Sequence, residues 1–384
     1  MDKDKVRLLD ISDFYGFHTG GIATFINNKA RIFQELGLPV EHRVLFPSHY
    51  DGVHQRFGST FVSIKSMNVQ GLAPNYFLHT RFRKLYRAID EFQPDIVEIN
   101  STTTMAYAAS LYAKQKGIPL LSVYHTDLVS SFRFLFRWSA LAERVSRLYI
   151  PKLYNRCKST IVASQTFLRQ LEGLGVKRLV HVPLGVDKRV FYPRSTFSAL
   201  SPLLPKALKR PIGVYAGRLS ADKNVHLLLD AIETTKSPGS FLVAGDGKLK
   251  ERLLELQAKR RNVFYLGFVE NQDLLAELFS FADYYVTACT SETYGLSLME
   301  AQCCGLPVLC VDSPILRENL DPKTSVFVPS PQGLESALEA PPASMRANSK
   351  ALDWHEVFLK LFALYAEYAG MAHLAPEKSL LLEA

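Results

Sequence analysis

The clearest indication of the fold is the stretch YYVTACTSETYGLSLMEAQCCGLPVLCV, residues 284–311. It begins and ends with short runs rich in apolar and aromatic residues, YYVTAC and PVLCV, which are typical of buried strands. Between the two runs, the apolar stretch that follows Gly295 is long enough to form a connecting helix. A strand, a helix and a second strand in this order predict a βαβ unit with parallel strands.

The same alternation of strand-like and helical segments runs through the whole chain. Strands are predicted at VRLLDIS, DIVEIN, LLSVYH and STIVAS in the first half and at PIGVYAG, SFLVAG, NVFYLG, YYVTAC and PVLCV in the second. A chain of 384 residues exceeds the length at which a single core usually splits. We therefore predict an α/β protein of two doubly wound, Rossmann-like domains that face each other across a cleft.

The domain boundaries follow from composition. The segment 182–211 is rich in Pro and Ser and lacks a clean hydrophobic period, which is typical of a connection. We predict a first domain at 1–187, a linker at 188–210 and a second domain at 211–353. The stretch from Trp354 has helical apolar spacing and ends near Gly370.

Charge is divided unevenly between the halves. Residues 1–187 contain 24 Lys and Arg against 15 Asp and Glu, a net charge of +9, and the remainder has 21 against 22, a net charge of −1. The N-terminal stretch MDKDKVRLLDISDFYG lacks the apolar run of a signal peptide, and no apolar run is long enough to span a bilayer. We expect a cytoplasmic protein that is able to contact the inner face of a membrane.

The cysteines do not indicate a metal or redox site. Their number is odd, none has zinc-like spacing, and two are adjacent in an apolar run. Buried, reduced thiols are the favoured interpretation of Cys157, Cys289, Cys303, Cys304 and Cys310.

The loop and helix start at 291–302, SETYGLSLMEAQ, are suited to an anion. Backbone N–H groups around Tyr294 to Ser297 would lack partners at a helix start and could bind a phosphate. Glu300, about one and a half turns into the helix, could accept hydrogen bonds from ribose hydroxyls, and Glu292 could accept from another group. The alternative is a loop charge that favours the helix dipole, with one exposed helical Glu.

Three further turns follow predicted strands. Gly20 and Gly21 in GFHTGGIATFI stand just before a helix, where glycines permit close approach to a phosphate, or serve only a tight turn. Arg218 and Lys223 in YAGRLSADKN could bind a diphosphate or simply be solvated. The turn in AGDGKLKERL is Gly-rich, and Asp246 there could cap the following helix.

A histidine ends a strand of the first half. In SVYHTDL, His125 and Asp127 fall at the carboxyl edge of the predicted sheet. There the imidazole could donate to a substrate oxygen or be oriented by a nearby carboxylate, although a single histidine is more often structural.

Two segments of the first half mix basic and aromatic residues. They are HTRFRKLYR, residues 79–87, and SFRFLFRW, residues 131–138. Such segments suit anionic lipid headgroups. The alternatives are amphipathic core helices with solvated arginines, and nucleic acid, which charge alone does not distinguish.

Together these motifs resemble the retaining glycosyltransferases of family 4, which have the GT-B architecture. The resemblance covers nearly the whole chain. It rests on Gly20-Gly21, YHTD at 124–127, GVD at 185–187 with Phe191 and Pro193, AGRLSADKN, AGDGKLKERL, and the seven-residue spacing between Glu292 and Glu300.

The resemblance implies roles for individual residues. His125, Asp127 and Glu292 would be the catalytic residues, with His125 and Glu292 at the transferred sugar. The nucleotide-sugar donor would be bound by Gly20, Gly21, Arg218, Lys223, Tyr294, Gly295, Leu296 and Glu300. It also implies that no cofactor and no metal are required, since Arg, Lys and a helix dipole can stabilise the nucleoside diphosphate leaving group.

The resemblance also implies an acceptor. YHTD with the basic segment after it is similar to glycolipid-forming members, so the first domain would bind an anionic lipid or glycolipid acceptor and the second the nucleotide sugar. The helix at 354–384 would be a crossover helix that packs back on the first domain. We expect transfer of mannose or glucose, for example from GDP-mannose or UDP-glucose, and no nucleic-acid partner. A lipopolysaccharide or soluble glycan acceptor, or a non-catalytic nucleotide-sugar-binding protein, are the alternatives.

One loop departs from the family pattern. After the strand PVLCV the chain has DSPILRE, with Ser313-Pro314 where relatives often have two glycines, and Glu318 retained. Proline fixes φ and removes an N–H donor, so this loop cannot offer the same backbone contacts, and donor preference is open there.

Overall fold

The computed structural model describes residues 4–16, 20–68, 77–79, 81–129, 139–342 and 347–376. The chain forms two compact units. The first comprises Met1–Gly185 and Trp354–Ala384, and the second comprises Val186–Asp353.

An eight-stranded sheet organises the first unit. Its strand order is β10-β9-β8-β7-β1-β2-β4-β3, and every pairing is parallel except β3 with β4. The strands are β1 (Val6–Ile11), β2 (Val40–Ser48), β3 (Gly52–Arg56), β4 (Ser59–Lys65), β7 (Ile96–Ile99), β8 (Leu120–Tyr124), β9 (Ser159–Val162) and β10 (Leu179–His181); the short β5 (Met67–Asn68) and β6 (Phe77–Leu78) pair with each other. Every residue of β7, β8 and β9 is buried, as expected for parallel strands covered on both faces.

Helices join these strands. They are α1 (Gly20–Glu35), α2 (Phe82–Phe92), α3 (Thr104–Lys116), α4 (Ser139–Tyr154) and α5 (Gln165–Gly173). Helix α2 is strongly amphipathic: Leu85, Ile89 and Phe92, spaced three and four residues apart, are buried. Asp13 holds the start of α3, because its carboxylate accepts hydrogen bonds from the backbone N–H groups of Met105 and Ala106.

The second unit contains a six-stranded parallel sheet. Its strands are β12 (Ile212–Ala216), β13 (Ser240–Ala244), β14 (Val263–Gly267), β15 (Tyr284–Thr287), β16 (Val308–Val311) and β17 (Ser325–Val328). The spatial order is β14-β13-β12-β15-β16-β17, so the strand order reverses between β12 and β15. In doubly wound folds ligands bind where the order reverses, beyond the carboxyl ends of the strands.

The helices of the second unit are α6 (Val225–Thr234), α7 (Lys250–Lys259), α8 (Gln272–Phe281), α9 (Leu296–Cys303), α10 (Pro314–Asn319) and α11 (Leu334–Ala337). Residues 188–210, predicted as a linker, belong to this unit. Glu277 of α8 accepts hydrogen bonds from the backbone N–H groups of Ala199 and Leu200, and Arg194 pairs with Asp273 at 2.7 Å. The lack of hydrophobic period in this segment therefore reflects an irregular, anchored stretch of backbone.

The terminal helix, α12 (Trp354–Tyr368), is part of the first unit. It packs on α1 and β1 and buries an apolar face that includes Trp354, Phe358 and Phe362. Just before it, the short strand β18 (Leu352–Asp353) pairs with β11 (Gly185–Val186).

All nine predicted strands are present, they fall in two sheets, and the predicted parallel arrangement of these strands is confirmed. Of the strands in the two large sheets, sequence reasoning did not find β2, β3, β4, β10 or β17. Strand β2 contains Glu41, His42 and Arg43 in its first half, so it lacks the continuous apolar run by which the other strands were predicted. His42 is buried there, hydrogen-bonded to Ser59.

Candidate donor and catalytic sites

In the second unit, the loops after β12 and β15 are joined by direct hydrogen bonds, since these two strands are neighbours at the reversal of strand order. The side chain of Asn224, whose φ of 51° is left-handed, donates to the carbonyl oxygen of Ala288 (3.1 Å) and to the hydroxyl of Thr290 (3.2 Å). The Ser291 hydroxyl donates to the carbonyl oxygen of Asp222 at 2.7 Å. Two motifs about 70 residues apart in sequence thus form one surface.

The Gly-rich loop after β13 lies against the same surface. Gly245 and Gly247 adopt φ values of 141° and 152°, and a Cβ atom on either would collide with a carbonyl oxygen, that of Gly217 or that of Leu219. The backbone N–H of Leu219 donates to the carbonyl oxygen of Asp246 at 2.8 Å. These glycines are required by the close approach of two loops.

Asp246 does not cap the following helix, contrary to the sequence prediction. Helix α7 begins at Lys250, with Leu249 at the N-cap position, and the Asp246 carboxylate accepts from the N–H of Gly247 at 2.8 Å. The tight turn at Gly247 places the helix start too far along the chain for Asp246 to reach it.

Lys223 and Glu292, predicted separately, form an ion pair of 2.8 Å. Both side chains are largely buried, with 22% and 15% exposed. Burial lowers the pKa of Lys223, but the charge of Glu292, the nearby thiol of Cys289 and the hydrogen bond to Glu292 together outweigh burial, and the pKa is raised. The pair therefore presents a fixed ammonium group and a carboxylate side by side.

Arg218 is held more loosely. Its guanidinium pairs with Asp222 at 2.8 Å, and both side chains are more than half exposed. Exposed pairs of this kind stabilise a protein by about 0–1 kcal/mol. An incoming diphosphate could replace Asp222 as the partner of Arg218 at little cost.

Helix α9 begins at Leu296, with Gly295 at the N-cap position in a left-handed conformation (φ 86°). Its first N–H groups have no acceptor within the helix, as at any helix start. Tyr294, which precedes the helix, is buried, and its carbonyl oxygen accepts from the side-chain amide of Asn319 at 2.8 Å. The backbone that was predicted to bind phosphate is therefore the start of α9, and the hydrogen bond from Asn319 holds the turn that precedes it.

Glu300 lies in the second turn of α9 and is partly buried. Burial raises the pKa of its carboxyl from an ordinary 4.5 to about 8. Among the described residues no hydrogen-bond donor or cation contacts this carboxyl. A partly buried carboxyl of this kind is stabilised in its charged form when a ligand supplies hydrogen-bond donors.

The loop after β16 differs from the two-glycine pattern in a definite way. Ser313 is the N-cap of α10, and its hydroxyl accepts from the N–H of Leu316 at 3.2 Å. Pro314 occupies the first helical position, where its missing N–H would be unpaired in any case. The side chain of Ser313 is thereby committed to its own helix.

In the first unit, Gly20 and Gly21 form the first turn of α1 rather than a turn before it, and both are exposed. His125 directly follows β8 and is half-buried. Its Nε2 lies 2.8 Å from Oδ1 of Asn100, which directly follows the neighbouring strand β7. Burial and the nearby charge of Lys29 lower the pKa of His125 to about 3, so the imidazole is neutral at physiological pH.

The partner of His125 is thus an amide rather than the carboxylate considered from the sequence. Asp127 accepts a hydrogen bond from the N–H of Val129 at 3.1 Å. Asn100 was missed, since an asparagine inside DIVEIN gave no motif. The available signal was its position at the end of the strand beside β8.

Residues 131–138, the second basic and aromatic segment, lie outside the described residues. Among the residues that the structure describes, no cluster of three or more His, Cys, Asp or Glu could hold a metal ion. Within the same residues no helix is both long and apolar enough to cross a bilayer. All five cysteines are free thiols, and four of them are buried.

Comparison with solved structures identifies the architecture. Sucrose-phosphate synthase from Thermosynechococcus elongatus matches with a TM-score of 0.74 at 18% identity, covering 94% of this chain and 99% of that one. The two Rossmann-like sheets and this likeness define the GT-B fold, which confirms the predicted fold class.

Sequence comparison places the chain in a family. The model for Glycosyltransferase Family 4 matches residues 19–190, and that for Glycosyl transferases group 1 matches residues 199–348. The chain therefore belongs to the family 4-like glycosyltransferases.

Two relatives illustrate the relationship. A GDP-mannose-dependent alpha-mannosyltransferase of Corynebacterium glutamicum is 28% identical over 220 residues, which span 57% of this chain and about half (51%) of that protein. A GDP-mannose-dependent alpha-(1-6)-phosphatidylinositol dimannoside mannosyltransferase of Mycobacterium tuberculosis is 23% identical over 330 residues, or 82% of this chain and 81% of that protein.

Proposed function

We propose that the protein transfers a hexose, mannose or glucose, from a nucleotide diphosphate sugar to a membrane glycolipid acceptor, with retention of the anomeric configuration. The observation that carries the proposal is the convergence of three strand-end loops in the second unit. They bring together Arg218, the Lys223–Glu292 pair, the start of α9 and the partly buried carboxyl of Glu300. This set matches a nucleotide sugar part by part.

Each part of the donor has a chemical counterpart. The diphosphate would accept from Arg218, Lys223 and the first N–H groups of α9, which together offset its charge. The ribose diol would supply the donors that Glu300 lacks. Glu292, held beside Lys223, would accept from a hydroxyl of the sugar.

In the proposed reaction the bond between the anomeric carbon and the diphosphate oxygen breaks. The acceptor hydroxyl oxygen forms a new bond to that carbon on the same face, and its proton passes to the departing diphosphate. Arg218, Lys223 and the dipole of α9 stabilise the charge that develops on the leaving group, so we propose that neither a metal nor another cofactor is needed. The neutral imidazole of His125 would contact the transferred sugar, and Asp127 would act close to it.

The acceptor proposal rests on charge and on the relatives. The first 187 residues carry a net charge of +9. Arg83, Lys84 and Arg87 are exposed on α2, opposite its buried apolar side. Basic residues near an anionic bilayer surface contribute about 1 kcal/mol each. We propose that α2 contacts the membrane and keeps the protein peripheral on the cytoplasmic face, where the glycolipid acceptor resides.

Incubation of the purified protein with GDP-mannose or UDP-glucose and membrane lipids tests the reaction. A labelled glycolipid with the donor's anomeric configuration is expected. Label that reaches only lipopolysaccharide or soluble glycans would contradict the acceptor proposal. The absence of both transfer and donor hydrolysis across a broad donor panel would indicate a non-catalytic binding protein.

Vesicle flotation tests the membrane contact separately. We expect binding to vesicles that contain phosphatidylglycerol, weak binding to phosphatidylcholine alone, and loss of binding in the double variant Arg83→Glu, Arg87→Glu. Lys206→Glu with Lys236→Glu is the charge-matched control, since both lysines are exposed in the second unit. Equal loss in both double variants would show that net charge, and not α2, governs binding.

A further inference from the structure

A charged cluster lies wholly inside the first unit. Asp10 of β1 and Glu98 of β7 are opposite each other in neighbouring strands, and Lys29 of α1 lies between them. The Lys29 ammonium is 2.9 Å from an oxygen of Asp10 and 2.5 Å from Oε1 of Glu98, and all three side chains are fully buried. Removing one partner from a buried ionic set leaves an uncompensated charge, so the three side chains hold one another in place.

This cluster fixes the orientation of the Asn100 amide. The Asn100 side-chain NH2 donates to Oε1 of Glu98 at 3.1 Å, the same oxygen that accepts from Lys29. If the amide were flipped, its carbonyl oxygen would face a carboxylate oxygen, and two buried acceptors would be left without a hydrogen between them. The carbonyl oxygen of Asn100 is therefore directed to His125.

An amide carbonyl oxygen can only accept a hydrogen bond. Nε2 of His125, at 2.8 Å from that oxygen, must then carry the hydrogen. In a neutral imidazole the other nitrogen, Nδ1, is left as an acceptor. The buried cluster thus determines which nitrogen of His125 can accept a proton or a hydrogen bond.

The terminal helix reaches the same histidine by two routes. The hydroxyl of Tyr365 in α12 donates at 2.6 Å to Oε2 of Glu98, whereas Asn100 and Lys29 bind Oε1. The ring of Phe25 contacts His125 edge-on, with centroids 4.9 Å apart, and also packs on Phe358 of α12 at 5.3 Å. A helix more than 220 residues downstream of His125 therefore contacts Glu98, which binds Asn100, and Phe25, which packs on the imidazole.

We propose that Asn100 is a positioning residue that holds His125 as the Nε2–H tautomer, and that Glu98, Lys29 and Tyr365 hold Asn100 in the required orientation. The consequence for catalysis rests on the proposed function, in which His125 contacts the transferred sugar. The tautomer itself is a property of the free protein and can be measured without a substrate.

Nitrogen NMR of protein labelled at histidine tests the first part. The His125 signals are assigned by their loss in His125→Gln. In the wild-type protein we expect one neutral tautomer, protonated at Nε2, with a ring N–H that is protected from exchange with water. In Asn100→Leu, which is nearly isosteric but has no acceptor, we expect both tautomers and loss of that protection. A wild-type Nδ1–H tautomer, or an unchanged spectrum in Asn100→Leu, overturns the proposal.

Enzyme kinetics of two tyrosine variants test the second part of the proposal, that Tyr365 helps to hold Asn100 through Glu98. Tyr365→Phe removes the hydroxyl bound to Glu98, and Tyr368→Phe, one turn away on α12, removes a hydroxyl that is 2.8 Å from Ser159 and has no link to Asn100. We expect kcat to fall roughly 10- to 100-fold in Asn100→Leu and roughly threefold or more in Tyr365→Phe, because small misplacements of a reacting group have effects of this size. In both variants KM should change little. Tyr368→Phe should stay within about twofold of wild type.

The two proposals fail in different ways. If Tyr365→Phe and Tyr368→Phe have equal activity and equal His125 spectra, the role of Tyr365 is refuted. If the wild-type protein shows the protected Nε2–H tautomer but transfers no sugar to any acceptor, the proposed function is refuted and the role of Asn100 in setting the tautomer is supported.

Discussion

The variant Glu300→Gln distinguishes two effects of the partly buried Glu300 carboxyl: its cost to the stability of the free protein and its contribution to ligand binding. In the folded protein the pKa of Glu300 is raised from an ordinary 4.5 to about 8 by burial. Between these two pH values the folded state binds more protons than the unfolded state, so the wild-type protein loses stability as pH rises from about 4.5 through about 8. Glutamine cannot ionise, and Glu300→Gln should lose this part of the pH dependence.

The size of the effect follows from the shift. A difference of this size in pKa corresponds to an upper limit of about 5 kcal/mol. Glu300 is partly exposed, so solvent screening reduces the expected gain at pH 8.5 to about 1–2 kcal/mol. For a unit of this size that corresponds to a rise in Tm of roughly 2–8 °C. At pH 4.5 the two proteins should have nearly equal Tm.

Thermal unfolding at several pH values, without ligand, measures this difference. Glu255→Gln is the matched control, because Glu255 is exposed on α7 of the same unit. The reasoning is refuted if Glu300→Gln follows the wild-type pH dependence of Tm.

Calorimetry with GDP or UDP measures the second effect of the same variant. Loss of hydrogen bonds between a charged carboxylate and the ribose should weaken binding roughly 10- to 100-fold, although the free protein is more stable. The difference between the variants should increase with pH, as the wild-type carboxyl becomes ionised and a better acceptor. Unchanged affinity would exclude Glu300 from the ribose site.

The remaining predictions concern three other positions. Glu292→Gln should lower kcat at least 100-fold. Binding of the nucleoside diphosphate alone should be equal or a few-fold tighter, because Lys223 is no longer neutralised. Transfer assays and calorimetry on the same protein measure both effects, and weaker diphosphate binding would count against the prediction. Gly245→Ala should destabilise the protein by more than about 1 kcal/mol in urea unfolding, since its Cβ would collide with backbone, whereas a wild-type midpoint would show that the loop can move. Lys29→Met should reduce stability by about 3–5 kcal/mol, because two buried carboxylates lose their cation, and a loss below about 1 kcal/mol would mean that water or protonation compensates.

The local parts of the candidate donor site were readable from the sequence. Strand runs followed by glycines or polar residues identified the loops at 217–224, 245–249 and 288–295, because the carboxyl ends of parallel strands carry the ligands in this class of fold. The sequence also placed Gly295 just before α9 and Glu300 inside it. Glycine, proline and hydrophobic periodicity affect the backbone within a stretch of a few residues, so their effects can be predicted from the local sequence.

The contacts between side chains from different loops depend on the tertiary structure. Lys223 and Glu292 are 69 residues apart, and only the adjacency of β12 and β15 makes them an ion pair. Asn100 binds His125 because β7 and β8 are neighbours.

The charged cluster of the first unit shows most clearly what local sequence patterns do not reveal. Asp10, Lys29 and Glu98 are charged residues that a sequence pattern assigns to the surface, and their burial is possible only because three separate elements place opposite charges within 3 Å. Local patterns in the sequence predicted nine of the strands, several turns and the type of chemistry that each loop can offer. Which loop meets which, and which charges can be buried, depended on strand order and helix packing, because an ionic contact acts at a distance of a few ångströms in space irrespective of separation along the chain.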